Sequence, residues 1–382
     1  MAAAQIYLGK TRVLPDTAGP GAAALRTLLA CLDKDAAFRV QPDAPFIRKL
    51  KGTPAIECCT SGSSGQPKII RRSLQSWRLS FAVNRDLFGF SVVDRAAVFG
   101  ALSHSLTVYG IAEASHCGMG LHVLHGLRPR TQLDQIRQHQ ISVLYATPTQ
   151  LRMLSGASAP GVRLVLCGGG ALDAATDAQV RQMFPRADLR AFYGASETSF
   201  ITLTDAQTPA GSVGRAYPGV TLQIRARQGD AGEVWVKSPY LFDRYVQGDS
   251  RATRRDGEYM TVGEIGRLDA QGCLFLLGRQ DRMVTIADRN VHPEALEQLL
   301  AGLLPDRLCV VTTVPDDQRG HVLMAYIETG DAAPEEGWLR RQILSGLGAA
   351  MVPRKIIWVD RLPVLPSGKP DLSRLSRVCP WP

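Results

Sequence analysis

Residues 55–68 read AIECCTSGSSGQPK. The apolar start, Ala55–Thr60, has the texture of a buried strand. The stretch from Thr60 to Lys68 holds two glycines, three serines, a threonine, a proline and a closing lysine. Glycines let backbone N–H groups converge on an anion, and hydroxyls and an ammonium add donors. The segment therefore reads as an anion-holding loop between a strand and a helix; the same composition also describes a flexible surface turn. It is not the nucleoside-triphosphatase loop, because Gln66 and Pro67 separate Gly65 from Lys68 and Ile69 follows. Nor is "GASET" (194–198) a hydrolase elbow, since Thr198 stands where the second glycine must be.

Outward from this loop the texture alternates. Short apolar runs ("AIECCT", "AAVFGAL", "LHVLH", "SVLYAT", "VRLVLCG", "LRAFYG") are separated by helix-like segments at Ser73–Phe88, Ser103–Cys117, Gln132–His139, Pro148–Ser155 and Asp173–Phe184. Strands alternating with helices predict a mostly parallel α/β sheet. From Thr221 to Leu277 apolar and polar residues alternate around Gly-Asp and Gln-Gly turns, which predicts antiparallel hairpins. After Gly278 comes a small α+β pattern, with a helix at Pro293–Leu303 and strands at "RLCVVTTV", "VLMAYIET" and "KIIWV". Residues 1–54 are loosely patterned, with one apolar helix around Ala22–Leu32. The predicted architecture is a large N-terminal domain, 1–278, with a parallel-rich sheet and a β-rich subdomain, and a small mobile domain, 279–382.

At 382 residues the chain is long enough for two domains and a sizeable core. Its net charge of +9 suits an anionic partner, or a solvated basic surface. No nucleic-acid module interleaves aromatic and basic residues. The eight cysteines show no CxxC spacing and several sit in apolar runs, so they read as reduced and cytoplasmic. His116, His122 and His125 fit no standard metal spacing and read as structural. No apolar run approaches the roughly 18 residues needed to span a bilayer, and the N-terminus lacks a signal-like core.

Several segments together resemble the adenylate-forming superfamily of acyl- and aryl-CoA synthetases, adenylation domains and luciferase. "TSGSSGQPK" is similar to its triphosphate loop, "YGASET" (193–198) to its second signature, and "VGEIGRLD" (262–269) to its ribose-binding stretch. "GRQDRM" (278–283) resembles its hinge, "NVHPEALE" (290–297) the segment after it, and "LPSGKPDLSRL" (365–375) its C-terminal lysine loop. The order is the family's, and the resemblance covers residues 55–382. It implies a carboxylate joined to the α-phosphorus of ATP, then transferred to a thiol, CoA above all. The pantetheine of an acyl or peptidyl carrier protein is the alternative acceptor, and a non-catalytic adenylate-binding subunit the alternative role.

The resemblance implies roles residue by residue. Thr60, Ser61, Gly62, Ser63, Ser64, Gly65 and Lys68 would cradle the phosphates. Glu197 would ligate Mg²⁺, and Thr198 would reach the α-phosphate. Tyr193 and Gly194 would face adenine beside the backbone of Gly169 and Gly170. Glu264 would accept the ribose hydroxyls, helped by Arg279. Lys369 would bridge carboxylate and phosphoryl oxygen, and Asp281 would be the hinge. The acid pocket would be lined by Phe99, Gly100, Leu102, His104, Val108, Gly168 and Ala191. Amino-acid-activating relatives carry an aspartate where Gly100 stands. An unpaired ammonium is costly to bury, so a non-amino carboxylic acid fits. Four departures stand out: only 59 residues precede the loop, Glu264 replaces the usual aspartate, Asp288 replaces a usual glycine, and Pro370 follows Lys369.

Overall fold

The computed structural model describes residues 5–44, 46–60, 68–226, 229–287, 289–305, 307–330, 334–364, 370–372 and 374–375. Ser61–Gly65, Asp288 and Lys369 lie outside them. The chain divides into two compact units: Met1–Leu172 with Thr176–Thr221 and Val236–Arg251, and Asp173–Ala175 with Leu222–Trp235 and Ala252–Pro382.

The first unit is built on a nine-stranded sheet. Across it run Arg215–Ala216, Ser199–Leu203, Asp188–Ala195, Leu164–Gly168, Val143–Ala146, Arg95–Val98, Gly120–Val123, Ile6–Leu8 and Thr11–Arg12. From Asp188–Ala195 to Ile6–Leu8 every neighbouring pair is parallel. Antiparallel strands close both edges. "VLYA" and "LVLCG" are buried at every position, as parallel strands covered on both faces must be. Beneath them Phe99, Leu133, Ile136, Leu151 and Val180 join one apolar core. The parallel α/β expectation holds. The weakly patterned start, however, supplies two strands of this sheet and two of the next. Strands of two or three residues leave too short an alternation to read.

A second sheet orders Arg244–Gln247, Lys68–Ser73, Ala55–Thr60, Phe38–Val40 and Ile47–Lys49. Here one expectation is corrected. The serine-rich stretch joins two antiparallel strands, paired to the last rung Thr60↔Lys68, and the helix comes only after the second strand. Arg71 and Arg72 hid that strand, because they interrupt its apolar run. Arg71 is there to pair with Glu57 at 3.1 Å, and Glu57 takes Arg39 from the other side at 2.7 Å. The register sets Arg39, Glu57 and Arg71 side by side, a cross-strand charge ladder. The helix Leu74–Phe88 starts where Ser73 accepts the N–H of Ser76 and ends at left-handed Gly89. Its Trp77 and Phe81 pack edge-on against Tyr109, as core rather than site.

The second unit holds a six-stranded sheet ordered Arg254–Asp256, Tyr259–Thr261, Gly232–Lys237, Glu264–Leu268 and Leu274–Arg279, with Thr221–Arg225 paired to Gly232–Lys237. It also holds the hairpin of Val284–Ile286 with Arg289–Val291. A three-stranded sheet of Cys309–Asp316, Gly320–Glu328 and Lys355–Val359 packs with the helices Pro293–Leu303 and Glu336–Leu347 around Leu296, Val311, Ala325 and Ile343. Among the described residues no helix is long and apolar enough to cross a membrane. The described cysteines are all free thiols. His122 stacks flat on Tyr7 at 4.6 Å, with His139 beside it. No described His, Cys, Asp or Glu residues cluster as a metal cage.

Candidate active site

The site begins with a hairpin turn. Asp188–Ala195 and Ser199–Leu203 pair antiparallel with a bulge between Tyr193 and Gly194. The turn between them is Ser196-Glu197-Thr198. Gly194 is required, because a Cβ there would meet the Ser199 carbonyl oxygen at 1.8 Å. Thr198 is fully buried. Its hydroxyl accepts the Ala195 N–H at 2.9 Å and lies 3.4 Å from the carbonyls of Ala195 and Ser199, closing the turn.

Three donors from distant segments hold this turn. The Arg72 guanidinium donates to the Ser196 carbonyl at 2.6 Å. The Phe242 N–H donates to the Glu197 carbonyl at 2.8 Å. The Tyr245 hydroxyl donates to Glu197 Oε1 at 2.8 Å. Arg72 is 3% exposed, and burial holds its pKa down to about 10, with Glu197 and Asp243 opposing. It still carries its proton at neutral pH. Glu197 Oε2 takes no hydrogen bond among the described residues. The Lys68 ammonium lies 5.8 Å from the centre of the Tyr245 ring, and its stem is buried against Gly248. Tyr245 therefore touches both the carboxylate of the turn and the cation that follows the serine-rich stretch.

A single half-used carboxylate suits a hard cation that draws most of its ligands from phosphate and water, as Mg²⁺ does. It does not suit a structural zinc.

The same turn meets a second segment. Ser105 Oγ lies 3.4 Å from Ser196 Oγ, at the start of the helix Ser105–His116. His104 occupies that helix's N-cap position, and burial, then His125, lowers its pKa below the ordinary histidine value. Its imidazole is neutral at pH 7. Gly100 is closely surrounded: a Cβ there would meet Thr107 Oγ1 at 2.4 Å, His104 Nδ1 at 3.0 Å and Gln150 Nε2 at 3.5 Å. Leu102 is buried nearby in sequence; Phe99 and Val108 are packed in the interior at 4% and 0% exposure. Gly168 and Ala191 sit on neighbouring parallel strands, Gly168 opposite Phe192 and Ala191 opposite Cys167. A Cβ on Gly168 would strike the Phe192 ring at 2.1 Å. Gly169 follows with φ +86°, a backbone that favours glycine.

In the second unit, Glu264 and Arg279 face each other across a strand pair, with Arg279 Nη1 3.3 Å from Glu264 Oε1. The rest of the guanidinium grips Asp281 through two bonds of 2.9 Å. One arginine thus ties the expected ribose acid to the expected hinge residue. Burial pushes the Asp281 carboxyl up, but Arg279 prevails and holds it below its ordinary value.

A model of the AMP-binding enzyme family matches residues 21–246, and one of the AMP-binding enzyme C-terminal domain matches residues 296–369. The chain belongs to the AMP-binding enzyme family. This AMP-binding enzyme is 30% identical over 331 residues to the uncharacterized acyl–CoA ligase YhfT of Bacillus subtilis (strain 168), covering 83% of this chain and 67% of the relative. It is 28% identical over 345 residues to indoleacetate–CoA ligase of Aromatoleum aromaticum, covering 83% of this chain and 66% of that one. In fold it is similar to the amide bond synthetase McbA from Marinactinospora thermotolerans, with a TM-score of 0.75 and 24% identity over 88% of this chain and 72% of that one. The AMP-binding enzyme is accordingly an AMP-forming acid–thiol ligase, as the motifs implied. Of the residues singled out in the sequence, Lys68, Glu197 and His104 are linked through Tyr245, Ser196 and Ser105. Ser196 lies within the quoted stretch "YGASET", but Tyr245, Ser105 and Arg72 had no signal of their own. A tyrosine or serine outside a motif looks like any other until pairing places it.

Proposed function

We propose that this cytoplasmic enzyme joins a non-amino carboxylic acid, fatty or aryl, to ATP and passes the acyl group to the thiol of CoA. A carboxylate oxygen attacks the α-phosphorus, and the bond to the bridging oxygen breaks, releasing pyrophosphate. The thiol sulfur then attacks the acyl carbonyl carbon. AMP leaves and the thiol proton goes to solvent. Two anions must meet in the first step, so fixed positive charge and geometry matter most. Lys68 and the Thr60–Gly65 hydroxyls and N–H groups would hold the β- and γ-phosphates. Glu197 would hold Mg²⁺, which offsets phosphate charge. Tyr193, Gly194, Gly169 and Gly170 would flank the adenine, and Glu264 with Arg279 would bind the ribose. Lys369, from the small domain 279–382, would bridge the reacting oxygens, with Asp281 as hinge.

The observation that carries this reading is the meeting at Tyr245 of Lys68 and the half-used Glu197 carboxylate. The acid class follows from Gly100. The Thr107 hydroxyl lies where a side chain would start, so an aspartate has no room to receive an ammonium.

The test is a panel of fatty, aryl and amino acids in a pyrophosphate-release assay with wild type and Lys369→Ala. Fatty or aryl acids should release pyrophosphate and amino acids should not. The variant should be slower by about 10²–10³-fold. A panel in which no acid gives release sinks the reading. Intact-mass analysis after adding CoA or a carrier protein then identifies the acceptor.

A further inference from the structure

Tyr245 is 48 residues from Glu197 in the chain and belongs to the edge strand Arg244–Gln247. That strand pairs antiparallel with Lys68–Ser73, the strand that leaves the serine-rich stretch. Tyr245 sits opposite Ile70, Gln247 opposite Ile69, and the register shifts between them. The extra residue is Val246, and such a bulge re-aims the side chains beside it. Here it comes beside a phenol directed to Glu197. The same segment holds Glu197 twice, by the Phe242 N–H on its carbonyl and the Tyr245 hydroxyl on Oε1. Arg72 fixes the preceding carbonyl. The backbone and one carboxylate oxygen are thus committed, and the other oxygen takes no described partner.

We propose that Tyr245 is a positioning residue for adenylation: its hydroxyl fixes the Glu197 carboxylate so that the second oxygen is left for the cation that accompanies ATP. Its ring serves separately, as the face beside which the Lys68 ammonium lies. This rests on the reading of Glu197 as that cation's ligand. A freely rotating glutamate would pay rotamer entropy on binding the cation; a tethered one has already been ordered by folding.

Tyr245→Phe removes the hydroxyl and keeps the ring. The probe is Mn²⁺ with ATP, followed by electron paramagnetic resonance, beside ATP binding in chelator without metal. The full-length wild type and variant are compared, with thermal midpoints as a control. The variant should bind Mn²⁺ in the ternary complex about tenfold more weakly, the value of one hydrogen bond to a charged group. Metal-free ATP binding and the thermal midpoint should not change. Equal Mn²⁺ affinity in variant and wild type overturns the proposal and leaves the ligase reading intact. An equal loss of metal-free ATP binding also overturns it, since that marks a structural tyrosine. A wild type that binds no Mn²⁺ with ATP removes the reading of Glu197 and the proposal together. Glu197→Gln supplies the second check. In that background Tyr245→Phe should cost nothing further in Mn²⁺ affinity, and a persisting tenfold effect overturns the link.

Discussion

The first unit holds two glutamates whose surroundings set them on different paths. Glu113 is fully buried and fully used. Tyr145 donates to it at 2.6 Å, Asn84 at 2.9 Å and Tyr109 at 3.3 Å, and Tyr217 braces Asn84 at 2.7 Å. Burial pushes its pKa up to about 8 despite those donors. Glu197 lies at a turn, half-buried, with one oxygen held by Tyr245. The contrast teaches that burial alone does not mark a reacting group. A carboxyl with every oxygen satisfied ties the helix Ser105–His116 to its neighbours; a carboxylate held on one side keeps an oxygen for the cation proposed above.

The contrast breaks most visibly on removal of Glu113. Glu113→Ala takes away the acceptor of the buried Tyr145 hydroxyl and leaves the Asn84 amide to donate to Tyr109 and the Tyr109 hydroxyl to donate to Ser80, and should cost about 3–4 kcal/mol of stability. Urea unfolding measures it; an unchanged midpoint would show that the network does not hold the fold. Glu197→Gln should do the reverse. Pyrophosphate release should fall about 10²-fold with little change in thermal midpoint. A large fall in the midpoint would make Glu197 structural too. Proton linkage sharpens the comparison further. The Glu113 carboxyl gives up its proton near the ordinary 4.5 when unfolded and, pushed up by burial, at about 8 when folded. The folded state binds the extra proton between these values. Its contribution is complete below the lower value and is lost as pH rises through the upper one. Wild type should therefore lose on the order of 2–3 kcal/mol relative to Glu113→Gln between pH 5 and 8, read as diverging urea midpoints. Parallel midpoints would deny the buried titration. The smallest effect is expected outside this unit. Glu264→Ala should weaken ATP binding about tenfold by calorimetry, the worth of one charged hydrogen-bonding group. Unchanged affinity would remove the ribose role from Glu264.

Much of the fold was legible because the relevant signals are local. The helix Pro293–Leu303 has its proline in the first turn and apolar residues at helical spacing, and it forms at the expected residues. The parallel strands were legible as continuous apolar runs. The strand Lys68–Ser73 was not, since it carries two arginines with partners far along the chain. In the site, Lys68, Glu197 and His104 could be named from motifs. Tyr245, Arg72 and Ser105 could not, because their roles come from what faces them.

The alternation of strand and helix, the glycine-rich turn with its lysine, and the family those motifs specify are all written in the order of residues along the chain. These depend on side-chain period and backbone freedom over a few residues. That Arg72 reaches Ser196 across 124 residues, and Tyr245 reaches Glu197, emerges from folding alone. Which strands pair, and in what register, is settled by burying apolar faces together, and no short segment contains that information.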